Sequence, residues 1–150
     1  ELDFQEKFVS ISQGGSKIKF FASDASVLTA PQKAITFPEA EINFNITSDK
    51  LSMIHKTAGV LRAADVSIVG DGSAITVIVA DKKNATGNSF SEPVGTTDKK
   101  FKVNLKVENL KMLPGDYEVS ISSKKISRFK SPSSDLVYYV AVEADSTFEV

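Results

Sequence analysis

From Ser48 to Leu61 the apolar residues Leu51, Ile54, Ala58 and Leu61 recur at intervals of three and four, the spacing that lines up one face of an α-helix. Ser48 or Asp49 is placed to cap its N-terminus, because either side chain can accept from a first-turn N–H that has no partner in the helix. At about 100° per residue, Ser52, His55, Lys56 and Gly59 fall on the opposite side. That second face is small, polar and free of acid, so it suits either water or a large anionic partner. The rest of the chain is patterned as strands.

Phe8 to Ser12 and Lys17 to Phe21 alternate around Gln13-Gly14-Gly15-Ser16 and predict a β-hairpin. The pattern then dissolves from Ser23 to Phe37, a connector containing Pro31. Alternation resumes over 40–46 as a strand leading into the helix. Beyond the helix, Asp65 to Val69 and Ala74 to Ala80 predict strands flanking the tight turn Gly70-Asp71-Gly72-Ser73. A weaker strand is expected at Ser89 and Phe90, followed by a loop over 91–97. Lys100 to Leu105 alternates again, and Val107, Leu110 and Leu113 predict a short helix over 106–113 that Pro114-Gly115-Asp116 stops. Strands are expected over 117–122, 124–130 and 136–144. The order strand, helix, strand, strand, strand thus occurs twice, over about 39–90 and 98–144. Two such units predict an α+β fold with both helices on one side of antiparallel sheets.

Composition narrows the chemistry. A chain of 150 residues, 41% hydrophobic and 25% charged, fits one globular domain and not two ordinary ones. It begins at Glu1 rather than Met, so further residues are expected before it. No apolar run approaches the roughly 20 residues of a membrane span. The absence of cysteine excludes disulfides and thiolate metal sites and fits a reducing compartment. Charge is segregated: four lysines face seven acids over 1–49, fourteen Lys or Arg face eight acids over 50–130, and 131–150 holds four acids and no base. That asymmetry predicts a basic and an acidic side.

Catalytic signatures are missing. His55 is the sole histidine, with no carboxylate three or four residues away. There is no P-loop and no dinucleotide fingerprint after a strand. Asp71-Gly72 and Asp81 match turn chemistry better than a calcium loop. The sequons at Asn45-Ile46-Thr47 and Asn84-Ala85-Thr86 are taken as chance in a chain rich in Asn, Ser and Thr. The expectation is a non-enzyme that needs no cofactor and no metal.

Two stretches near the end carry a resemblance: Leu110-Lys111-Met112-Leu113-Pro114-Gly115-Asp116-Tyr117 and Tyr138-Tyr139-Val140-Ala141-Val142-Glu143-Ala144-Asp145-Ser146-Thr147. They resemble the C-terminal region of the T-even-type bacteriophage sliding clamps, the DNA polymerase processivity factors. The likeness extends from about Ile11 to the terminus, through Ala30-Pro31, Phe37-Pro38 and Asp49-Lys50-Leu51. It implies a processivity fold of duplicated βαβββ units, with sheets outside and helices lining a hole. It also implies a ring-forming homotrimer of two-domain subunits, loaded by an ATP-dependent clamp loader and tethering DNA polymerase in the cytoplasm of an infected bacterial host. In those terms, residues 1–22 are the last hairpin of a largely absent N-terminal clamp domain, 23–37 the interdomain connector and 38–150 the C-terminal clamp domain.

Lysines aimed at phosphates across water give a sequence-blind, salt-sensitive attraction that permits sliding on duplex DNA. The DNA-facing candidates are Lys50, Lys56, Lys106 and Lys111, with His55 on the same helix and Arg62 just past it. Lys56 and Lys111 stand where the family has a basic residue, and Gly59 replaces a further family cation, for which Arg62 compensates. Partner proteins of clamps insert a hydrophobic peptide beside the closing strand. By position that pocket draws on Val27, Leu28 and Pro31 of the connector, on Pro114, and on Tyr139, Ala141 and Val142. The competing reading is a non-enzymatic β-sandwich adhesion or structural module, which predicts no long helix at 48–61. A sequence-specific DNA binder is a third reading, and it predicts base-edge contacts.

Overall fold

The computed structural model describes residues 1–27, 33–81, 84 and 86–149. The chain divides into two compact units, Glu1–Thr36 and Phe37–Val150. The first is an antiparallel meander of β1 (Leu2–Phe4), β2 (Phe8–Gln13) and β3 (Ser16–Phe21), followed by a single 3-10 turn at Ala25–Val27. The expected hairpin is β2–β3, turned by Gly14 and Gly15, both in the left-handed region that favours glycine. β1 is an addition that the three-residue pattern Leu-Asp-Phe was too short to announce. The register stacks Leu2 beside Ile11 and Ile18, and Phe4 beside Val9 and Phe20, on one face.

The second unit runs β4 (Ile42–Ile46), α1 (Ser48–Leu61), β5 (Asp65–Asp71), β6 (Ala74–Ala80), β7 (Ser89–Thr96) and β8 (Lys100–Lys106). A 3-10 turn (Val107–Leu110), β9 (Tyr117–Ser122), β10 (Ile126–Lys130), β11 (Val137–Ala141) and β12 (Thr147–Glu149) follow. Two sheets form, in the orders β11-β10-β9-β4 and β12-β8-β5-β6-β7. The duplication read from the sequence is therefore present, with an exchange the pattern does not show. The first strand of each repeat completes the sheet of the other: β4 pairs with β9, and β8 pairs with β5. The core lies between the sheets and under α1, with Ile54, Ile75, Leu105 and Ile121 among its fully buried side chains. Gly95 lets the sheets close on each other, since a Cβ there would sit 3.3 Å from Phe44 Cβ.

Three expectations are corrected. The helix expected over 106–113 is the four-residue 3-10 turn. Lys106 still belongs to β8, and Val107, Leu110 and Leu113 repeat every three residues, the 3-10 period. The loop expected over 91–97 is strand as far as Thr96. Pro93 is tolerated because β7 is an edge strand with a bulge opposite Ile75 and Thr76. The cap of α1 is Thr47, whose Oγ accepts from Lys50 N at 3.4 Å, while Ser48 N–H donates to the Asp116 carboxylate at 2.8 Å. The expected strands at 124–130 and 136–144 are trimmed to β10 and β11, and β12 follows.

Candidate nucleic-acid interface

α1 buries Leu51, Ile54 and Ala58 and turns Ser52, Lys56 and Gly59 to solvent, as its periodicity requires. Met53 and Val60 also lie on the exposed side, Val60 at 82% exposure. Asp49, in the first turn, is exposed there too. At the other end Arg62 adopts a left-handed conformation (φ 52°), and its N–H closes the helix on the carbonyls of Ala58 and Gly59.

The segment after β8 is clasped along this helix. His55 Nε2 lies 2.8 Å from the Leu110 carbonyl; a carbonyl only accepts, so the imidazole donates. At the N-terminus of the helix, the Ser48–Asp116 hydrogen bond makes a second clasp. Between them, Leu113 is fixed by two tyrosines. The Tyr117 hydroxyl donates to its carbonyl at 2.6 Å, and its N–H donates to the Tyr138 hydroxyl at 3.2 Å. Burial pushes the Tyr117 hydroxyl above the ordinary tyrosine range, keeping it a neutral donor. The seam carries a cleft of about 330 Å³ with Lys56 and His55 on one wall and Met112 and Pro114 on the other. A second cleft, of about 390 Å³, lies between Ala63 and Lys111.

The candidate cations divide into two groups. Lys56, Arg62 and Lys111 are exposed on or beside this seam. Lys50 and Lys106 are engaged by acids. Lys50 pairs with Glu92 at 2.8 Å and also donates to the Pro93 carbonyl, bracing the bulge of β7. Lys106 pairs with Asp65 at 2.7 Å and lies 3.9 Å from Glu143. The hydrogen bond to Asp65 holds its ammonium above the usual lysine value. Asp49 and Glu108 line the same clefts and offset part of the positive field. Among the described residues, no cluster of His, Asp and Glu could hold a metal ion. No helix among them is long and apolar enough to cross a membrane.

The expected peptide-pocket residues are not gathered into one cavity among the described residues. Leu28 and Pro31 lie outside the described residues, and Val27 belongs to the first unit. Pro114 faces α1 across the cleft. Tyr139 and Ala141 share the outward face of β11, whereas Val142, 6% exposed, belongs to the core. The sequence reading missed what stands beside Tyr139: the Phe37 ring lies 6.1 Å from it and 4.8 Å from the Arg128 guanidinium. Alternation in β10 places Arg128 outward, but nothing local tells that Phe37 folds onto it.

Comparison with known proteins gives consistent matches. Residues 43–144 match the family described as gp45 sliding clamp, C terminal. The sliding clamp of Vibrio phage KVP40 is 33% identical over 152 residues, covering 96% of this chain and 68% of that protein. The sliding clamp of Enterobacteria phage T4 is 28% identical, covering 94% of this chain and 64% of that protein. Among solved structures, the DNA polymerase III beta subunit of Thermotoga maritima superposes with a TM-score of 0.58 at 14% identity, over 95% of this chain and 41% of that one. The sliding clamp from Bartonella birtlesii gives 0.56 at 10% identity, over 95% and 41%. At such identities the bacterial proteins speak to the fold alone. The chain spans about two thirds of the length of its phage relatives.

Proposed function

This chain belongs to the gp45 sliding-clamp family, as the C-terminal portion of a phage clamp, and on that premise we propose that it encircles duplex DNA and tethers replication proteins without chemistry of its own. The observation that carries this is the clasped seam: His55 and Asp116 hold α1 against residues 107–116, so that Lys56 and Lys111 stand exposed on the two sides. Exposed cations that form no ion pair among the described residues can meet phosphates through water and move from one to the next. Attraction of that kind holds DNA without fixing a register. Lys50 and Lys106, engaged by Glu92 and Asp65, contribute mainly to the protein's own architecture. In the whole protein the reading includes a homotrimeric ring, an ATP-dependent loader, DNA polymerase held through a hydrophobic peptide, and action in the cytoplasm of an infected bacterium.

The test uses the full-length clamp with its loader and polymerase on primed circular DNA. The clamp is expected to lengthen the products made per binding event. Reversing charge at both Lys56 and Lys111 is expected to cut that gain about tenfold at moderate salt and leave the melting temperature unchanged. Equal product lengths with and without the clamp would overturn the proposal, and an unimpaired double reversal would remove these two lysines from it.

A further inference from the structure

The cleft between the first half of α1 and the 107–116 segment has a chemistry that water-mediated attraction of a duplex does not use. Leu51, Met112 and Pro114 give it an apolar lining, while Asp49, His55 and Lys56 supply charged and polar groups. Its volume of about 330 Å³ lies at the lower end of the range for small-ligand sites, which suits a single ring system. Along α1, Asp49, Ser52, His55 and Lys56 follow one another at intervals of three and four, so one helix face delivers all of them to the same wall.

The clasp to Leu110 fixes the hydrogen-bonding sense of that wall. His55 Nε2–H is taken up by the Leu110 carbonyl at 2.8 Å, so Nδ1 of the neutral ring is left as an acceptor. It has no hydrogen-bond partner among the described residues. The Asp49 carboxylate is a second acceptor in the lining, and Lys56 is its cation, in no ion pair among the described residues. Asp49 lies about 10 Å along the helix from Lys56, so a donor and an anion on one ligand can meet different ends of the cleft. The matching ligand is a flat apolar body with an N–H donor and an attached anion. A nucleotide whose base carries an exocyclic amine has all three. The amine meets Nδ1 and Asp49, the ring lies against Leu51, Met112 and Pro114, and the phosphate reaches Lys56. In a duplex that edge is paired and the ring is stacked, so the nucleotide that enters is an unpaired one.

We propose that this cleft holds one unpaired nucleotide of a DNA strand, prefers bases that carry an exocyclic amine, and so retains the protein where single-stranded DNA adjoins a duplex. The proposal rests on the reading of this chain as a clamp, and it adds a contact that depends on the state of the strand. Paired DNA passes the cleft and meets only the exposed cations, whereas an unpaired base enters it. Cytosine and thymine separate the chemistry cleanly: they are alike in size, and where cytosine presents its N4 amine thymine presents the O4 acceptor.

The test measures fluorescence anisotropy of labelled oligo(dC), oligo(dT) and a blunt duplex of equal length on the 150-residue chain. Oligo(dC) is expected to bind about fivefold tighter than oligo(dT), the effect of one further hydrogen bond. Ser52→Phe, which places a ring in the cleft, is expected to remove that preference and leave duplex binding as it was. Lys56→Gln is expected to weaken both oligonucleotides alike. His55 is the only histidine of the chain, so its Nδ1 resonance reads the contact directly. It is expected to shift with oligo(dC) and not with oligo(dT). A shift with deoxycytidine monophosphate as well would show that free nucleotides also enter, and a shift with the monophosphate alone would overturn the assignment to a DNA strand. Melting curves establish that each variant is folded. Equal binding of the two oligonucleotides, binding of neither, a preference that survives Ser52→Phe, or an unmoved His55 resonance overturns the proposal. A full-length clamp that sustains processive synthesis but shows no cytosine preference would lose the cleft assignment alone. A preference that Ser52→Phe removes, in a protein that gives no processive synthesis, would support the nucleotide site and remove the clamp reading.

Discussion

Two three-stranded meanders with the same alternation, β1–β2–β3 in the first unit and β9–β10–β11 in the second, meet opposite fates. In the first, Leu2, Phe4, Ile18 and Phe20 remain exposed. In the second, Tyr117, Val119, Ile121, Phe129 and Val140 are buried, because β4 extends the sheet and α1 with the five-stranded sheet supplies a second layer. Alternation therefore says which face is apolar, while the stabilisation of about 1.5–3 kcal/mol per large side chain depends on a layer to cover it. Their turns differ too. The β2–β3 turn relies on Gly14 and Gly15. The β9–β10 turn holds Lys125 at φ 64° and is fastened from a distance by Glu41, whose carboxylate accepts from Ser123 N at 2.8 Å and Ser123 Oγ at 2.7 Å.

The contrast can be broken most forcefully at Ile121, which is 0% exposed. Ile121→Ala is expected to cost about 3–4 kcal/mol in denaturant unfolding of the second unit, from lost burial and an unfilled cavity. A loss below about 1 kcal/mol would mean that the covered meander is less tightly packed than its burial implies. Glu41→Gln comes next, at about 1–2 kcal/mol near neutral pH, because it weakens charge-assisted bonds to the turn. Burial pushes the Glu41 carboxyl up, but the hydrogen bonds from Ser123 and its neighbours outweigh it and hold the group below its ordinary value of 4.5. A depressed carboxyl stabilises the fold above the unfolded value and loses that contribution as pH falls through the folded one. The difference between wild type and Glu41→Gln should accordingly be full at pH 7, above the ordinary value of 4.5, and be lost in unfolding curves as pH falls through the lowered folded value. A difference independent of pH would show that the carboxylate charge plays no part.

The smallest change in stability is expected at Ile18, which is 54% exposed. Ile18→Ser should alter unfolding by less than about 0.5 kcal/mol. It should instead reduce concentration-dependent association measured by sedimentation, since an exposed apolar sheet face is adhesive. An Ile18 variant as damaging as Ile121→Ala would erase the distinction between the two meanders.

Much of this was legible because local rules act over short spans. The stripe of Leu51, Ile54, Ala58 and Leu61 specified α1, and the strict alternation around Phe44 and Val119 specified β4 and β9. The short segment after β8 was misread because Val107, Leu110 and Leu113 fit a period of three as well as a helical face, and four residues are too few to sustain an α-helix. At the candidate interface, the sequence marks Lys50 and Lys106 as basic. It does not show that Glu92 and Asp65, some forty residues away in either direction, occupy them. Arg128 escaped notice for a related reason: its neighbours Ser120 and Phe37 meet it only once the fold is assembled.

By itself the amino-acid order determined the repeat, the long helix, the glycine turns and the apolar side of each strand, because each follows from backbone geometry and the spacing of neighbours. Only the tertiary structure decided that β4 and β8 exchange sheets, that the 107–116 segment is clasped to α1 by His55 and Asp116, and which lysines the described acids engage. Those outcomes depend on which distant groups meet. A strand's alternation is equally compatible with many partners, and a charge with or without a mate.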